Sequence, residues 1–238
     1  MRTQDNCGEA GVLYFCPMGF VIDCFNAPQA AGTEDTMRVC ALFLLLIGLG
    51  VLISCGSSDP PPSDCSVFPA QQTSQYILPY EVGRSFRVIK TTSHGGTQYY
   101  SVDFGMPTGT PVVASRSGRV VNLEMRFLDG DTTPDHFNLI WIQHADGTVA
   151  RYFHLSHQSA RVNSGDLVTQ GQVIALSDNT GHSSGPHLHF DVVQCLTGLT
   201  PADINTPPCA QTIPLSFKNT TAHSCGLAYG ATYTALAY

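Results

Sequence analysis

Charge is scarce in this sequence. Asp, Glu, Lys and Arg make up 12% of its 238 residues. Only 11 are Lys or Arg, against 18 Asp and Glu, for a net charge of −7. The basic face of a nucleic-acid binder is therefore missing. No apolar run reaches the roughly 20 residues of a membrane-spanning helix. The 22 Gly and 15 Pro follow no short period, which excludes collagen-like and heptad arrays. After residue 55 no window sustains a helical period over three turns. No H-E-x-x-H is present, so a helical zinc site with a Glu base is excluded. What is plentiful is apolar material, 43% with a mean hydropathy of +0.04, enough for one packed core and too much for a disordered chain. Nine Cys and nine His stand out against this lightly charged background.

The apolar run that does exist covers residues 40–53 (CALFLLLIGLGVLI). At 1.5 Å per helical residue it spans about 21 Å, short of a hydrocarbon core and right for the h-region of a signal peptide. Arg38 supplies the positive charge before it, just after Met37. Leu52-Ile53-Ser54-Cys55 then resembles a lipobox, in which the Cys is lipidated and becomes the mature N-terminus. Residues 1–36 are acidic and wrong for an n-region, so translation is expected to start at Met37 and 1–36 to be a non-native extension. Residues 37–54 read as a lipoprotein signal peptide. Residues 55–75, rich in Ser, Pro and Asp at the start, read as a tether. Gly56 after the Cys, by resemblance to enterobacterial lipoproteins, implies an outer-membrane address in a Gram-negative cell. The expected localisation is the cell envelope, lipid-anchored at Cys55.

Four Cys remain in the exported part: Cys65, Cys195, Cys209 and Cys225. Two disulfides are expected, with three possible connectivities. A structural zinc of four Cys is the rival, and these residues lack its C-x₂-C pairing.

From Tyr76 onward, β-branched and aromatic runs alternate with turn signals. Phe86–Ile89, Tyr99–Phe104, Pro111–Ala114, Gly118–Val121, Asn138–His144, Thr148–Phe153, Leu167–Val168, Val173–Leu176 and His187–Val193 read as strands. Asp146-Gly147 reads as a hairpin turn. Thr212–Phe217 reads as a final strand, and the tail after it shows no motif. The expected fold is all-β, a compact antiparallel β-sandwich or barrel-like domain over residues 76–193. A Cys-containing extension, 194–238, follows it.

His187-Leu188-His189 begins a strand after a Gly-Pro turn. Residues i and i+2 of a strand share a face, so two imidazoles stand side by side while Leu188 and Phe190 face the core. Asp191 falls on the imidazole face, either as a hydrogen-bond partner of an imidazole or as an exposed edge carboxylate. His94 and Asp103 form a second pair across a Gly-Gly turn. Imidazole and carboxylate suit Zn²⁺, and three protein ligands leave one position for water, the pattern of a catalytic site. By itself, His154 at a strand end reads as structural or surface.

His94 with Asp103, Tyr152-x-His154-Leu155 and Gly185-Pro186-His187-Leu188-His189-Phe190 together resemble the lysostaphin/LytM-type zinc metallopeptidases. Val102-Asp103-Phe104, Gly109-Thr110-Pro111-Val112 and Thr180-Gly181-x-Ser183-x-Gly185-Pro186 extend the likeness over about residues 76–193. The resemblance implies zinc ligands His94, Asp103 and His189. It makes His154 and His187 catalytic, facing water and the substrate carbonyl. It implies an endopeptidase cutting the stem-peptide cross-links of bacterial peptidoglycan. The alternative is a catalytically silent LytM-like factor that activates a separate amidase. Many family members carry H-x-G-x-D, whereas Tyr99 stands four residues before Asp103 here. His94 would reach the metal across a longer insert, with His136 and His144 as less suitable substitutes. Asn138, Tyr152 and Ser183 lie near enough to the motifs to line the cleft. Oligomeric state is open.

Overall fold

The computed structural model describes Pro62, residues 64–194 and residues 211–238. The extension 1–36, the leader 37–54, Cys55, Cys195 and Cys209 lie outside the described residues. No helix among the described residues is long and apolar enough to cross a membrane.

The short β-branched runs become ten strands: β1 (Ser85–Lys90), β2 (Val102–Gly105), β3 (Pro111–Val113), β4 (Gly118–Glu124), β5 (Leu139–Gln143), β6 (Thr148–Phe153), β7 (Leu167–Val168), β8 (Val173–Leu176), β9 (Leu188–Gln194) and β10 (Thr232–Thr234). The only helical pieces described are three 3₁₀ turns, at Gln71–Thr73, Thr92–His94 and Gly96–Gln98. Eight strands form one antiparallel sheet in the order β10-β1-β2-β9-β6-β5-β4-β7, and β3 pairs with β8 in a second, smaller sheet. The fold is all-β, as expected.

Alternation along the central strands separates two faces. Leu188, Phe190 and Val192 of β9 point into the main core with Phe104, Ile140, Ile142, Ala150 and Tyr152. The opposite face of the same strands carries His189 and Asp191 (β9), Arg151 and Phe153 (β6), Trp141 (β5) and Asp103 (β2). Register lines these up: Asp103 lies opposite His189, His189 opposite Phe153, and Asp191 opposite Arg151. Polar residues at the centre of a wide sheet are buried only if loops cover them and partners satisfy them. Asp191 is fully buried, so both conditions apply here.

Two details differ from the sequence expectation. Thr212–Phe217 is not a strand. Apart from one bridge between Thr212 and Val193, it makes no ladder, and Leu215 and Phe217 plug the main core. Pro214 lacks the N–H that a ladder would need. The last strand is instead β10, from the tail without motif, which pairs with β1 at the sheet edge. The polypeptide before the sheet is tied to the same region. The Gln71 side chain donates to the carbonyls of Phe217 and Thr220, and Cys65 is disulfide-bonded to Cys225.

Candidate metal centre

His94 ends one 3₁₀ turn, Thr92–His94, and a second, Gly96–Gln98, takes up part of the eight residues between it and Asp103. Gly95 and Gly96 join them at φ 65° and 52°, backbone that glycine adopts without a Cβ penalty. The chain then returns into β2. The result brings His94 Nε2 to 3.1 Å from Asp103 Oδ1, while His189 Nδ1 lies 2.9 Å from the same oxygen. One ligand atom from each of His94, Asp103 and His189 lies within 4.8 Å of the other two.

Each imidazole is fixed by a bond on its far side. His94 Nδ1–H donates to the Thr91 carbonyl at 2.6 Å, which turns Nε2 toward Asp103. His189 Nε2–H donates to Asp191 Oδ2 at 3.1 Å, which turns Nδ1 toward the same carboxylate. Asp191 is held in turn by Arg151 and by the Ser101 hydroxyl. His94 Nε2 and His189 Nδ1 thus converge on one carboxylate oxygen, where a proton bridges each to Asp103 and a bound cation would take the protons' place.

Electrostatics agree. Burial pushes the Asp103 carboxyl up, but hydrogen bonds from His189 and His94, with their charge, outweigh it and hold the group well below the usual carboxylate range. Burial also opposes a proton on His189, yet hydrogen bonds to Asp103 and Asp191 outweigh that penalty and lift it to about 9. A site that concentrates so much affinity for positive charge suits a divalent metal with mixed N and O ligands.

His154 and His187 join the same cluster, with ring centroids 4.4 Å apart. His187 stands just before β9, bridged to Asp178, so the strand starts one residue later than expected. Its Nδ1–H donates to the Gly185 carbonyl at 2.8 Å, and its Nε2 is 3.5 Å from Asp103 Oδ2. His154 follows β6 directly with a left-handed φ of 63°, which swings its ring toward His187. Its Nδ1–H donates to the Thr180 carbonyl at 2.6 Å. Burial and the neighbouring His187 push its pKa down to about 3. One residue links both: the Asp178 N–H donates to the His154 carbonyl at 2.7 Å, and the Asp178 carbonyl accepts from His187 N–H at 3.2 Å.

These side chains line a cleft of about 680 Å³. Lys90 and Gln98 contribute from one side, His182 and Ser183 from the loop before β9, and Phe137 and Phe153 form an apolar wall. Gly181, at φ +83°, is needed here because a Cβ would stand 2.3 Å from the Phe137 ring.

The structure thus brings all five sequence-assigned residues together, and Ser183 with them. It takes Asp191 as the buried partner of His189 and not as an edge carboxylate. Asn138 and Tyr152 do not line the cleft. Asn138 cross-links to Phe127 through both side-chain atoms, and the Tyr152 hydroxyl accepts from the Ser115 N–H inside the core. His136 pairs with Asp131, and His144 lies under Tyr76, so neither replaces His94. Arg151, Asp178 and the carbonyls of Thr91 and Thr180 were not singled out from sequence. Arg151 alone left a signal, as the one basic residue in an otherwise apolar strand.

A family model described as Peptidase family M23 matches residues 97–201. Over 104 residues the chain is 39% identical to the peptidoglycan DD-endopeptidase ShyA of Vibrio cholerae, covering 44% of this chain and 21% of ShyA. Over 122 residues it is 34% identical to the glycyl-glycine endopeptidase ALE-1 of Staphylococcus capitis, covering 51% of this chain and 31% of ALE-1. The solved catalytic domain of lysostaphin from Staphylococcus simulans is 35% identical, over 48% of this chain and 80% of that one, with a TM-score of 0.35. The chain therefore spans between a fifth and a third of the length of these two curated relatives.

Proposed function

Since residues 97–201 match the model of peptidase family M23, we propose that the chain is a zinc-dependent endopeptidase hydrolysing peptide cross-links of bacterial peptidoglycan. The observation that carries this reading is the convergence of His94 Nε2, Asp103 Oδ1 and His189 Nδ1, each imidazole held by a hydrogen bond on its far side so that its other nitrogen faces the site. Two neutral imidazoles and one carboxylate fit Zn²⁺ and leave coordination open. The names of the relatives, a DD-endopeptidase and a glycyl-glycine endopeptidase, support a peptide of the cell wall as substrate.

His94, Asp103 and His189 would hold the ion. When bound, Zn²⁺ supplies a Lewis acid that lowers the pKa of a water toward about 7 and polarises a carbonyl. The remaining work falls to the chain. His154 and His187 each keep Nδ1–H on a backbone carbonyl, so each turns an Nε2 lone pair inward. Once protonated, the His187 Nε2–H has an acceptor in Asp103 Oδ2, whereas no carboxylate is bonded to His154 among the described residues. His187 is therefore the group that takes the proton of the attacking water and returns it to the leaving amine. His154, kept neutral by burial, accepts a hydrogen bond and orients the water. Phe137 and Phe153 wall the cleft and lower the dielectric around the reacting groups.

The reading extends to an exported protein anchored through a lipidated Cys55. The disulfide between Cys65 and Cys225 supports an oxidising compartment. The test is to incubate the protein with purified sacculi, with and without a chelator, and to analyse the muropeptides. Loss of cross-linked peptides that the chelator prevents is expected. Unchanged muropeptides with zinc-loaded protein would overturn the hydrolase and leave the non-enzymatic amidase activator.

A further inference from the structure

The cleft holds one full charge that the metal centre does not use. Of the residues lining it, only Lys90 and Asp103 are formally charged at neutral pH apart from the histidines. Asp103 is engaged by His94, His187 and His189. Lys90 closes β1 directly opposite Asp103, so both side chains lie on the cleft face of the sheet. Lys90 is exposed, and among the described residues no carboxylate pairs with it. The chain as a whole is acidic, with a net charge of −7, yet Lys90 sets an ammonium on the cleft wall. Lys90 lies apart from the polar network that builds the centre, where Arg151 is spent on Asp191.

An unpaired ammonium on a concave wall, facing the place where a peptide must lie, is a recognition element for an anion. The alternative is a solvated lysine at a strand end, as edge strands commonly carry. One fact argues against it: a register shift between Val88 and Lys90 turns both Ile89 and Lys90 toward the cleft.

We propose that Lys90 forms a subsite for a carboxylate of the substrate, so that the enzyme selects peptides bearing a free carboxylate next to the cleaved bond over neutral peptides such as glycine bridges. The proposal rests on the peptidase reading for the identity of the occupant. Its chemistry is charge pairing, with no covalent step.

The test uses two synthetic branched peptides, identical except that one carries the free carboxylate and the other its carboxamide. Binding to the full chain is measured by calorimetry, and hydrolysis by chromatography of the products. The acid is expected to bind about tenfold more tightly than the amide, with the ratio falling as salt rises. Lys90→Gln should bring the ratio near one, Lys90→Arg should keep it, and Lys90→Glu should invert it, with thermal unfolding confirming that each variant folds. Inversion of preference is an effect that loss of structure does not give. Equal binding of acid and amide by the unaltered protein, or no binding of either, overturns the subsite. If the acid is preferred in binding but neither peptide is cut, the hydrolase reading fails and the anion subsite stands.

Discussion

Arg151 grips Asp191 with two hydrogen bonds, Nε to Oδ1 at 2.6 Å and Nη2 to Oδ2 at 2.8 Å. Both residues are buried, and Asp191 passes the constraint on to His189 Nε2. Burial pushes the Asp191 carboxyl up, but the charge of Arg151 and the bond from His189 outweigh it and hold the group far below its usual range. The pair therefore orients a candidate metal ligand from behind. Removing such a partner commonly costs 10- to 100-fold in metal affinity. Asp191→Asn should weaken zinc binding by about that factor while the protein stays folded, as read by competition with a chromophoric chelator. Arg151→Met should be harsher, because it strands a buried carboxylate, at a cost of about 3–5 kcal/mol of stability. Unchanged zinc affinity in Asp191→Asn would remove Asp191 from the centre.

Ligand and catalytic roles separate cleanly by metal content. His94→Ala and His189→Ala each delete an inward lone pair and should abolish stoichiometric zinc, measured by elemental analysis after gel filtration. His154 sits at φ 63°, so Asn, which tolerates left-handed backbone, is the fair replacement. His154→Asn should keep the metal and lose turnover by about 10², the scale expected when an attacking water is misplaced. Full zinc occupancy in His94→Ala would exclude that residue and the two turns that deliver it.

Several of these residues were legible because their neighbours are local. The i, i+2 spacing of His187 and His189 fixes a shared face whatever the rest of the chain does. Asp103 alternates with Val102 and Phe104, which face the core. Arg151 and Asp191, by contrast, meet through the register of β6 against β9, a relation between residues 40 apart that no local pattern encodes. His94 was in doubt for a similar reason, since its approach depends on two glycine-linked turns and not on strand spacing. β10 was missed because Thr232–Thr234 is held by pairing with β1 and not by its own apolar content. Thr212–Phe217 misled in the opposite way, as its apolar residues serve the core without a ladder.

The disulfide ties Cys65 to Cys225 over a sequence separation of 160 residues. Its closure restricts the unfolded chain, a contribution of typically about 2–4 kcal/mol. Phe68, three residues on from Cys65, packs edge-on against Tyr100 at 5.6 Å, so the bridge also seats the segment between the His94 turns and β2. A Cys65→Ser/Cys225→Ser variant should melt about 5–15 °C lower, given about 2–4 °C per kcal/mol for a domain of this size. Zinc stoichiometry should be retained, because the candidate ligands sit on β2, β9 and the 3₁₀ turn between β1 and β2. An unchanged melting temperature by calorimetry under oxidising conditions would show that the bridge contributes nothing.

His144 gives the protein an acid-side weakness independent of the metal centre. Its Nδ1–H donates to the Ser117 carbonyl at 2.9 Å, while Nε2 is buried and has no partner among the described residues. A proton at Nε2 would be an unsatisfied buried donor. Burial accordingly pushes its pKa down to about 4, from about 6.5. Between those values the unfolded chain binds the proton and the folded protein does not, so stability rises with pH across that window. The contribution is complete above about pH 6.5 and is lost as pH falls toward 4, amounting to about 3 kcal/mol. His144→Gln can keep a donor for the Ser117 carbonyl and cannot titrate. Chelator-treated wild type should therefore lose more stability than chelator-treated His144→Gln between pH 7 and pH 4.5, measured as denaturant midpoints at each pH. The subtraction cancels the titration of the metal centre, which both proteins share. Parallel curves for the two proteins would mean that His144 stays neutral in the unfolded chain as well or is charged in both states, and either result would refute its role.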